Sequence, residues 1–235
     1  MPPWITDDVT FDASSGGGTV TVTATQSVNS ITGGAFTGTL NTNGQSITTG
    51  SFNFSGSGSR TLTLGSSTLT ITGSNSTVLN FGTVTNFTFN ANTSTIVLSG
   101  NSPTLNLGGL TFNEITLTGT GNPGISGSGS TIATLTRTGN ANKTDTLVFN
   151  SSVVVTSALN LNGNSATNRL LVQSSTIGSA RTITNTGATM SWSNVDFVDI
   201  TLSTAYDGSA ISGNSGDCGG NTNITFTTSA TPNIS

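Results

Sequence analysis

Apolar and polar residues alternate along many short segments of this chain. Residues 19–23 read TVTVT, residues 51–54 read SFNF, residues 61–64 read TLTL and residues 68–72 read TLTIT. The same alternation recurs at residues 87–89, 105–107, 115–117, 147–149 and 159–161. Successive side chains of a strand point to opposite faces, so a period of two predicts strands with one buried face. No stretch shows the apolar spacing of a helix, and we predict an all-β protein.

Glycine and asparagine separate the predicted strands, as at Gly33-Gly34 and Asn43-Gly44. These residues tolerate the positive φ of tight corners, and short strands joined by corners are typical of the sides of a coil. Residues 86–90 (NFTFN) are echoed 23 positions later, and residues 117–122 (LTGTGN) are echoed 18 positions later by residues 135–140. The pattern predicts a parallel β-helix, or β-solenoid, of about 18–24 residues and three short strands per coil.

The ends of the chain differ in composition from its middle. We expect residues 1–18, with Trp4, Ile5 and Phe11, to form an N-terminal cap or attachment segment, and residues 19–187 to form the β-helix body. From residue 188 heavier apolar residues such as Trp192 and Phe197 arrive. Because the first and last coils of a solenoid expose unpaired strand edges, residues 188–235 are interpreted as terminal coils and a C-terminal cap.

Charge is scarce, which excludes several classes of function. Only 6% of the residues are charged, against roughly 25% in an average soluble domain. Disorder is the competing interpretation of such a composition, but the regular alternation of Leu, Ile, Val and Phe argues against it. With five basic residues and nine acidic ones, the chain offers no basic surface for nucleic acid.

The chain has one cysteine and no histidine, so neither an internal disulfide nor a Cys/His metal site or nucleophile is expected. Cys218 is interpreted as a buried or merely tolerated thiol, with an intersubunit contact as the alternative. The first residues lack a basic region and an apolar run, and no segment reaches the roughly 18 apolar residues of a membrane helix. We therefore expect synthesis in a cytoplasm and no membrane insertion.

Carboxylates are too sparse to predict an active site. Residues 13–113 contain none, Glu114 has no acidic neighbour in sequence, and Asp145 is expected in a polar loop beside Lys143. Enzymes that hydrolyse polysaccharides use two carboxylates at a defined separation. We assign no catalytic, cofactor-binding or metal-ligating residue and expect neither a cofactor nor an enzyme.

The single acidic cluster comprises Asp196, Asp199, Asp207 and Asp217. Asp196 and Asp199 are three residues apart, so they would face opposite sides of one strand. Three interpretations stay open for the cluster: solvated loop or strand-end residues, a calcium site of oxygen ligands, and a hydrolase pair.

Two further patterns have a structural and a functional interpretation. Rows of Thr-x-Thr resemble those of ice-binding solenoids, but any half-buried strand in a threonine-rich chain gives the same pattern. Exposed phenylalanines could stack on sugars, but their alternation with polar residues predicts core positions. The phenylalanines concerned are Phe36, Phe52, Phe54, Phe81, Phe87 and Phe89.

Three stretches of the sequence carry a resemblance to a known family. They are the runs at residues 36–52 and 59–73 and the closing segment GNTNITF at residues 220–226, which is preceded by Trp192, Val195, Asp196 and Phe197. They resemble the repetitive Gly/Ser/Thr/Asn-rich β-helix structural proteins of tailed bacteriophages. The resemblance implies a virion surface protein of the tail fibre, spike or head decoration type. It also implies other virion proteins as partners, a homotrimer by analogy, and host surface glycans as candidate ligands. A bacterial surface adhesin with a β-solenoid stalk and a polysaccharide depolymerase are the alternatives.

Overall fold

A computed structural model describes residues 4–209 and 214–227 of the chain. The described residues form short β-strands and one turn of 3-10 helix, Ala13–Ser15. The strands are β1 (Asp8–Thr10), β2 (Thr19–Thr21), β3 (Gln26–Thr32), β4 (Thr39–Asn41), β5 (Ile47–Asn53), β6 (Arg60–Thr63), β7 (Thr68–Ile71), β8 (Thr77–Asn80), β9 (Phe87–Asn90), β10 (Thr95–Leu98), β11 (Thr104–Asn106), β12 (Thr111–Leu117), β13 (Gly124–Ser126), β14 (Thr131–Thr138), β15 (Asp145–Phe149), β16 (Val153–Asn162), β17 (Leu170–Ser174), β18 (Arg181–Thr184), β19 (Thr189–Ser193), β20 (Val195–Val198), β21 (Ile200–Asp207), β22 (Ser215–Asp217) and β23 (Thr222–Thr225). The predicted strands are therefore confirmed.

The strands pair in parallel between successive coils and form three stacks. Stack 1 begins at β1 and continues through the second halves of β3 and β5 to β8, β11, β13, β15, β17, β20 and β22. Stack 2 begins with β2, β4, β6 and β9, and stack 3 contains β7, β10 and β19. The long strands β12, β14 and β16 turn the corner from stack 2 to stack 3. The fold is the predicted parallel β-solenoid, with about ten coils in the described part.

The coils vary in length more than the sequence echoes indicate. Thr95 pairs with Glu114, which is 19 residues further on, whereas Leu159 pairs with Met190, which is 31 residues further on. The second echo also predicts the wrong register, because Leu117 pairs with Arg137 and not with Leu135. A shift of two residues keeps every side chain on its own face, so the alternating pattern does not distinguish these two registers.

The interior is a narrow apolar column whose composition changes along its length. In the N-terminal half, phenylalanine rings contact one another across successive coils. The chain of contacts runs from Phe36 through Phe11, Phe54, Phe52, Phe81, Phe87 and Phe89 to Phe112, with ring centroids 5.0–6.5 Å apart. Further along, the buried residues are mostly Leu, Ile and Val, until Trp192 packs on Phe197 and Tyr206. The predicted core role of the phenylalanines is confirmed, although Phe87 and Phe89 are only partly buried.

Stack 2 contains an interruption. β9 pairs with β6, but it has no pairing with the Thr111–Phe112 end of β12, which occupies the same side of the next coil. Phe89 and Phe112 remain in contact there, with ring centroids 5.0 Å apart. The first four strands of stack 2 therefore form a separate four-stranded sheet.

The two predicted end segments contribute strands to the solenoid. Within residues 1–18, β1 pairs with β3, and Phe11 packs against the core. At the other end, β22 pairs with β20 and β23 pairs with β21. Residues 1–3, 210–213 and 228–235, which belong to the predicted caps, lie outside the described residues. Among the described residues, no helix has the length and apolar character needed to cross a bilayer.

Candidate functional site: an uncharged lateral face

The four-stranded sheet presents two regular rows of polar side chains to solvent. Its inward row is Val20, Leu40, Leu62 and Phe89, so the residues on either side of each must point outward. We call these outward residues the hydroxyl–amide face, and they are Thr19, Thr39, Thr61 and Thr88 in one row and Thr21, Asn41, Thr63 and Asn90 in the other. Neither row contains a charge.

The spacing within this face follows from strand geometry. Neighbouring strands lie about 4.8 Å apart, and alternate residues of one strand lie roughly 6.6 Å apart. The Asn90 side-chain amide donates to the Thr63 hydroxyl over 3.1 Å, which links two coils. The face thus displays hydroxyl and amide groups in a repeating grid, and both groups can donate and accept hydrogen bonds.

The structure does not gather the four acidic residues of the predicted cluster into one site. Asp196 faces Arg169, whose Nε and one terminal nitrogen each donate to it over 2.7 Å. Asp199 is buried between β20 and β21 with φ 54°, and its carboxylate accepts from the Gly178 backbone N–H at 2.7 Å. Because Asp199 breaks the strand, the prediction that it shares one strand with Asp196 is wrong.

The two remaining carboxylates shape local turns. Hydrogen bonds from the Ser209 side chain and from the Ser209 backbone N–H lower the pKa of Asp207. Asp217 accepts from the Gly219 backbone and from the Asn221 side chain. Among residues 4–209 and 214–227, no three Asp, Glu, Cys or His side chains form a group suited to a metal ion.

Asp145 lies in a very different place from the predicted polar loop. It begins β15, is fully buried, and lies 3.5 Å from the guanidinium of Arg137, which is fully buried as well. Its carboxylate also accepts from the backbone N–H groups of Gly121 and Asn140, each at 2.8 Å. Only Lys143, 3.7 Å away, approaches it from the solvent side. The sequence prediction was wrong because the corner between β14 and β15 brings Asp145 against Arg137, eight residues earlier in the sequence, in the interior of the coil.

Two buried arginines were not singled out from the sequence. Arg60 and Arg137 each donate to backbone carbonyls at a corner of the coil. A signal was available, because each occupies an inward position of the alternating pattern, two residues from Leu62 and Leu135 respectively. Glu114 points outward from β12 and accepts from the Thr95 and Thr116 hydroxyls.

Cys218 is an exposed free thiol in the turn after β22, so it is not a buried residue. Partial burial of the sulfur and the nearby carboxylates of Asp196 and Asp217 raise its pKa. A raised pKa keeps the thiol protonated, and the thiolate is the nucleophilic form. The surroundings of Cys218 therefore work against reactivity.

Comparisons with known proteins give no match to this chain, whether with protein-family models, with curated proteins or with solved structures. The function of the chain is therefore inferred from its residues and from its resemblance to repetitive phage β-helix proteins.

Proposed function

We propose that this chain is a non-enzymatic structural protein of a bacteriophage, exposed on the particle surface as a fibre, spike or capsid decoration. The hydroxyl–amide face is the single observation that carries the binding part of this proposal. It offers a repeating, uncharged grid of hydrogen-bonding groups, of which Thr19, Thr21, Thr88 and Asn90 are exposed. The resemblance to repetitive phage β-helix proteins supports the virion part and, by analogy, a homotrimer.

The ligand class that fits this face is a neutral host surface glycan. A sugar presents hydroxyls that pair with threonine hydroxyls and asparagine amides, and no charge must be compensated. Each such contact is weak, but several copies on one particle raise the overall affinity through effective concentration. Three carboxylates are held by partners within the protein, which supports a structural role for them. Asp145 pairs with Arg137, Asp196 pairs with Arg169, and Asp199 accepts from the Gly178 backbone.

The proposed location on the particle surface is tested with purified virions of the phage that encodes this chain. We expect peptides of this chain in mass spectra of the particles, and antibody labelling of intact particles. Finding the chain only in the secreted or cell-surface fraction of bacteria would instead favour the adhesin. New reducing ends after incubation with host polysaccharide would contradict the non-enzymatic assignment.

The glycan part is tested with the protein displayed in many copies on beads and exposed to immobilised surface polysaccharide of the host. Thr61→Arg places a bulky charge in the centre of the hydroxyl–amide face and should abolish bead retention. Thr104→Arg places the same group on the outer side of stack 1 and should leave retention unchanged. Equal bead retention of the Thr61→Arg and Thr104→Arg variants would contradict a role of the hydroxyl–amide face in glycan binding.

A further inference from the structure

The first coil leaves strand edges open at the N-terminal end of the solenoid. In the described chain, β1 pairs only with β3, β2 pairs only with β4, and the Gln26–Val28 half of β3 pairs only with β5. Each of these strands therefore has one side without a neighbouring strand. An open edge presents backbone N–H and C=O groups that can pair with another strand.

The apolar column also reaches solvent at this end. A hollow of about 490 Å³ opens between the strands of the first coils, and its apolar lining includes Val9, Phe11, Val20, Val28, Ile31 and Leu40. Along one inward row, Val20 is 36% exposed, whereas Leu40 and Leu62 are 2% and 0% exposed. We call this open end, from β1 to the first half of β3, the mouth.

The described residues of the predicted N-terminal cap leave apolar surface of the mouth exposed. Trp4 and Ile5 are 64% and 68% exposed, whereas Val9 and Phe11 pack on the core. Exposed apolar surface of this kind, next to open strand edges, marks an interaction site in soluble proteins.

The rim of the mouth is acidic. Asp7, Asp8 and Asp12 are exposed around β1, and no lysine or arginine precedes Arg60 in the sequence. The Ser30 hydroxyl and the Asn29 amide donate to Asp8 and lower its pKa, so this carboxylate is ionised at neutral pH. The mouth therefore combines an apolar centre with a rim of one sign of charge.

We propose that the mouth is a docking surface for a protein partner that presents an exposed strand edge, apolar side chains and a lysine- or arginine-bearing rim. The strand edge completes the backbone hydrogen bonds of β1, β2 and β3, as in strand addition. The apolar side chains fill the hollow, and the basic rim complements the three aspartates. A second copy of this chain fits less well, because two mouths would bring the same carboxylates together.

The test uses the full chain and two short, extended, fluorescently labelled peptides of alternating valine and threonine. One peptide is flanked by lysines and the other by glutamates, and binding is measured by fluorescence anisotropy at low and high salt. We expect the lysine-flanked peptide to bind at least about tenfold more tightly than the other, with the difference shrinking as salt screens the charges.

Two matched variants locate the binding. Val20→Lys places a positive charge in the mouth and should weaken the binding of the lysine-flanked peptide at least about tenfold. Ile177→Lys makes the same substitution at a site that is 90% exposed in the loop after β17, and it should have no effect. The Asp7→Asn/Asp12→Asn double variant should remove most of the salt dependence. Unchanged thermal melting of each variant confirms that it folds.

Three results would overturn the proposal: no binding of either peptide, equal binding of both, or binding that Val20→Lys leaves intact. Sedimentation of the chain alone tests whether a second copy of the chain occupies the mouth. Self-association that Val20→Lys abolishes would assign the mouth to a second copy and reject the basic partner. None of these outcomes depends on whether the hydroxyl–amide face binds glycans, so the two proposals fail independently.

Discussion

Two corners of the solenoid bury an arginine, and they surround its charge differently. At the first corner, Arg60 is 2% exposed and lies against the face of the Phe87 ring, with its guanidinium carbon 4.5 Å from the ring centroid. At the second, Arg137 is fully buried and lies 3.5 Å from the carboxylate of Asp145. Each guanidinium donates to four backbone carbonyls, those of Phe54, Gly58, Thr83 and Thr85 at the first corner and those of Leu117, Gly119, Gly121 and Thr146 at the second.

The shared feature explains why arginine occupies both corners. Where the chain turns, carbonyls leave the ladder between coils and need another donor. A guanidinium has five N–H donors in a planar fork and can reach several of these carbonyls at once. Arg60 thereby ties the corner of one coil to residues 83–85 of the next, and Arg137 ties its own corner to residues 117–121 of the preceding coil.

The difference lies in how the charge is balanced. Burial lowers the pKa of both guanidiniums, and at the second corner the charge of Asp145 opposes that shift. Asp145 also binds the backbone N–H groups of Gly121 and Asn140, so it organises the loops on either side of Arg137. The aromatic corner relies on carbonyl dipoles and the ring face, whereas the second corner relies on an ion pair.

The largest effect is expected from removing the charge of Asp145. Asp145→Asn keeps an acceptor for the Gly121 N–H but leaves the buried Arg137 charge without a carboxylate. We expect a loss of about 3–5 kcal/mol in the free energy of unfolding, measured by urea denaturation. Lys143→Met removes only the half-exposed partner of Asp145, and it should cost less than about 1 kcal/mol. Equal costs would show that carbonyls alone hold Arg137, as they do Arg60.

A smaller effect is expected at the first corner. Arg60→Met keeps the buried chain volume but leaves four carbonyls without their donor, and no charge is left unpaired. Only the bonds to the Phe54 carbonyl are buried, and the three part-buried carbonyls can bind water instead. We therefore expect a loss of about 2 kcal/mol in the free energy of unfolding, the cost of one unsatisfied buried acceptor. The stability of Arg60→Lys should fall between that of the unsubstituted protein and that of Arg60→Met, because a single ammonium cannot reproduce the planar fork of the guanidinium. A loss larger than that of Asp145→Asn would reverse the order of the two corners.

The sequence predicts the architecture well because the alternation and the corner residues are local signals. Leu62 and Leu64 are predicted to face inward and are buried, and Asn43-Gly44 is predicted as a corner and has positive φ at both residues. The buried position of Arg60 also follows from the pattern, since it lies two residues before Leu62. Its carbonyl partners do not, because they come from the corner of the next coil.

The features that sequence reasoning misplaces depend on the path of the backbone at corners and on tertiary packing. Asp145 is buried because the corner between β14 and β15 places it against Arg137, and because the Gly121 N–H of the preceding coil donates to it. Asp196 and Asp199 separate because a positive φ at Asp199 ends β20. Whether Trp4 covers the first coil is likewise a matter of tertiary packing, and composition at that position carries no information on it.

The smallest difference is expected from the aromatic packing that accompanies the first corner. Phe81 and Phe149 are both fully buried, but Phe81 contacts the rings of Phe52, Phe87, Phe89 and Phe112, whereas among the described residues Phe149 contacts no ring. Phe81→Leu should therefore destabilise the protein by about 1 kcal/mol more than Phe149→Leu, since aromatic pairs contribute beyond the area they bury. Hydrogen exchange should show the loss of stability in Phe81→Leu at the coils around β8 and β9. In Phe149→Leu the loss should appear at the coils around β15, because coils contact only their neighbours. Equal losses would mean that the ring contacts around Phe81 add nothing to apolar burial, and that the two halves of the core differ in composition only.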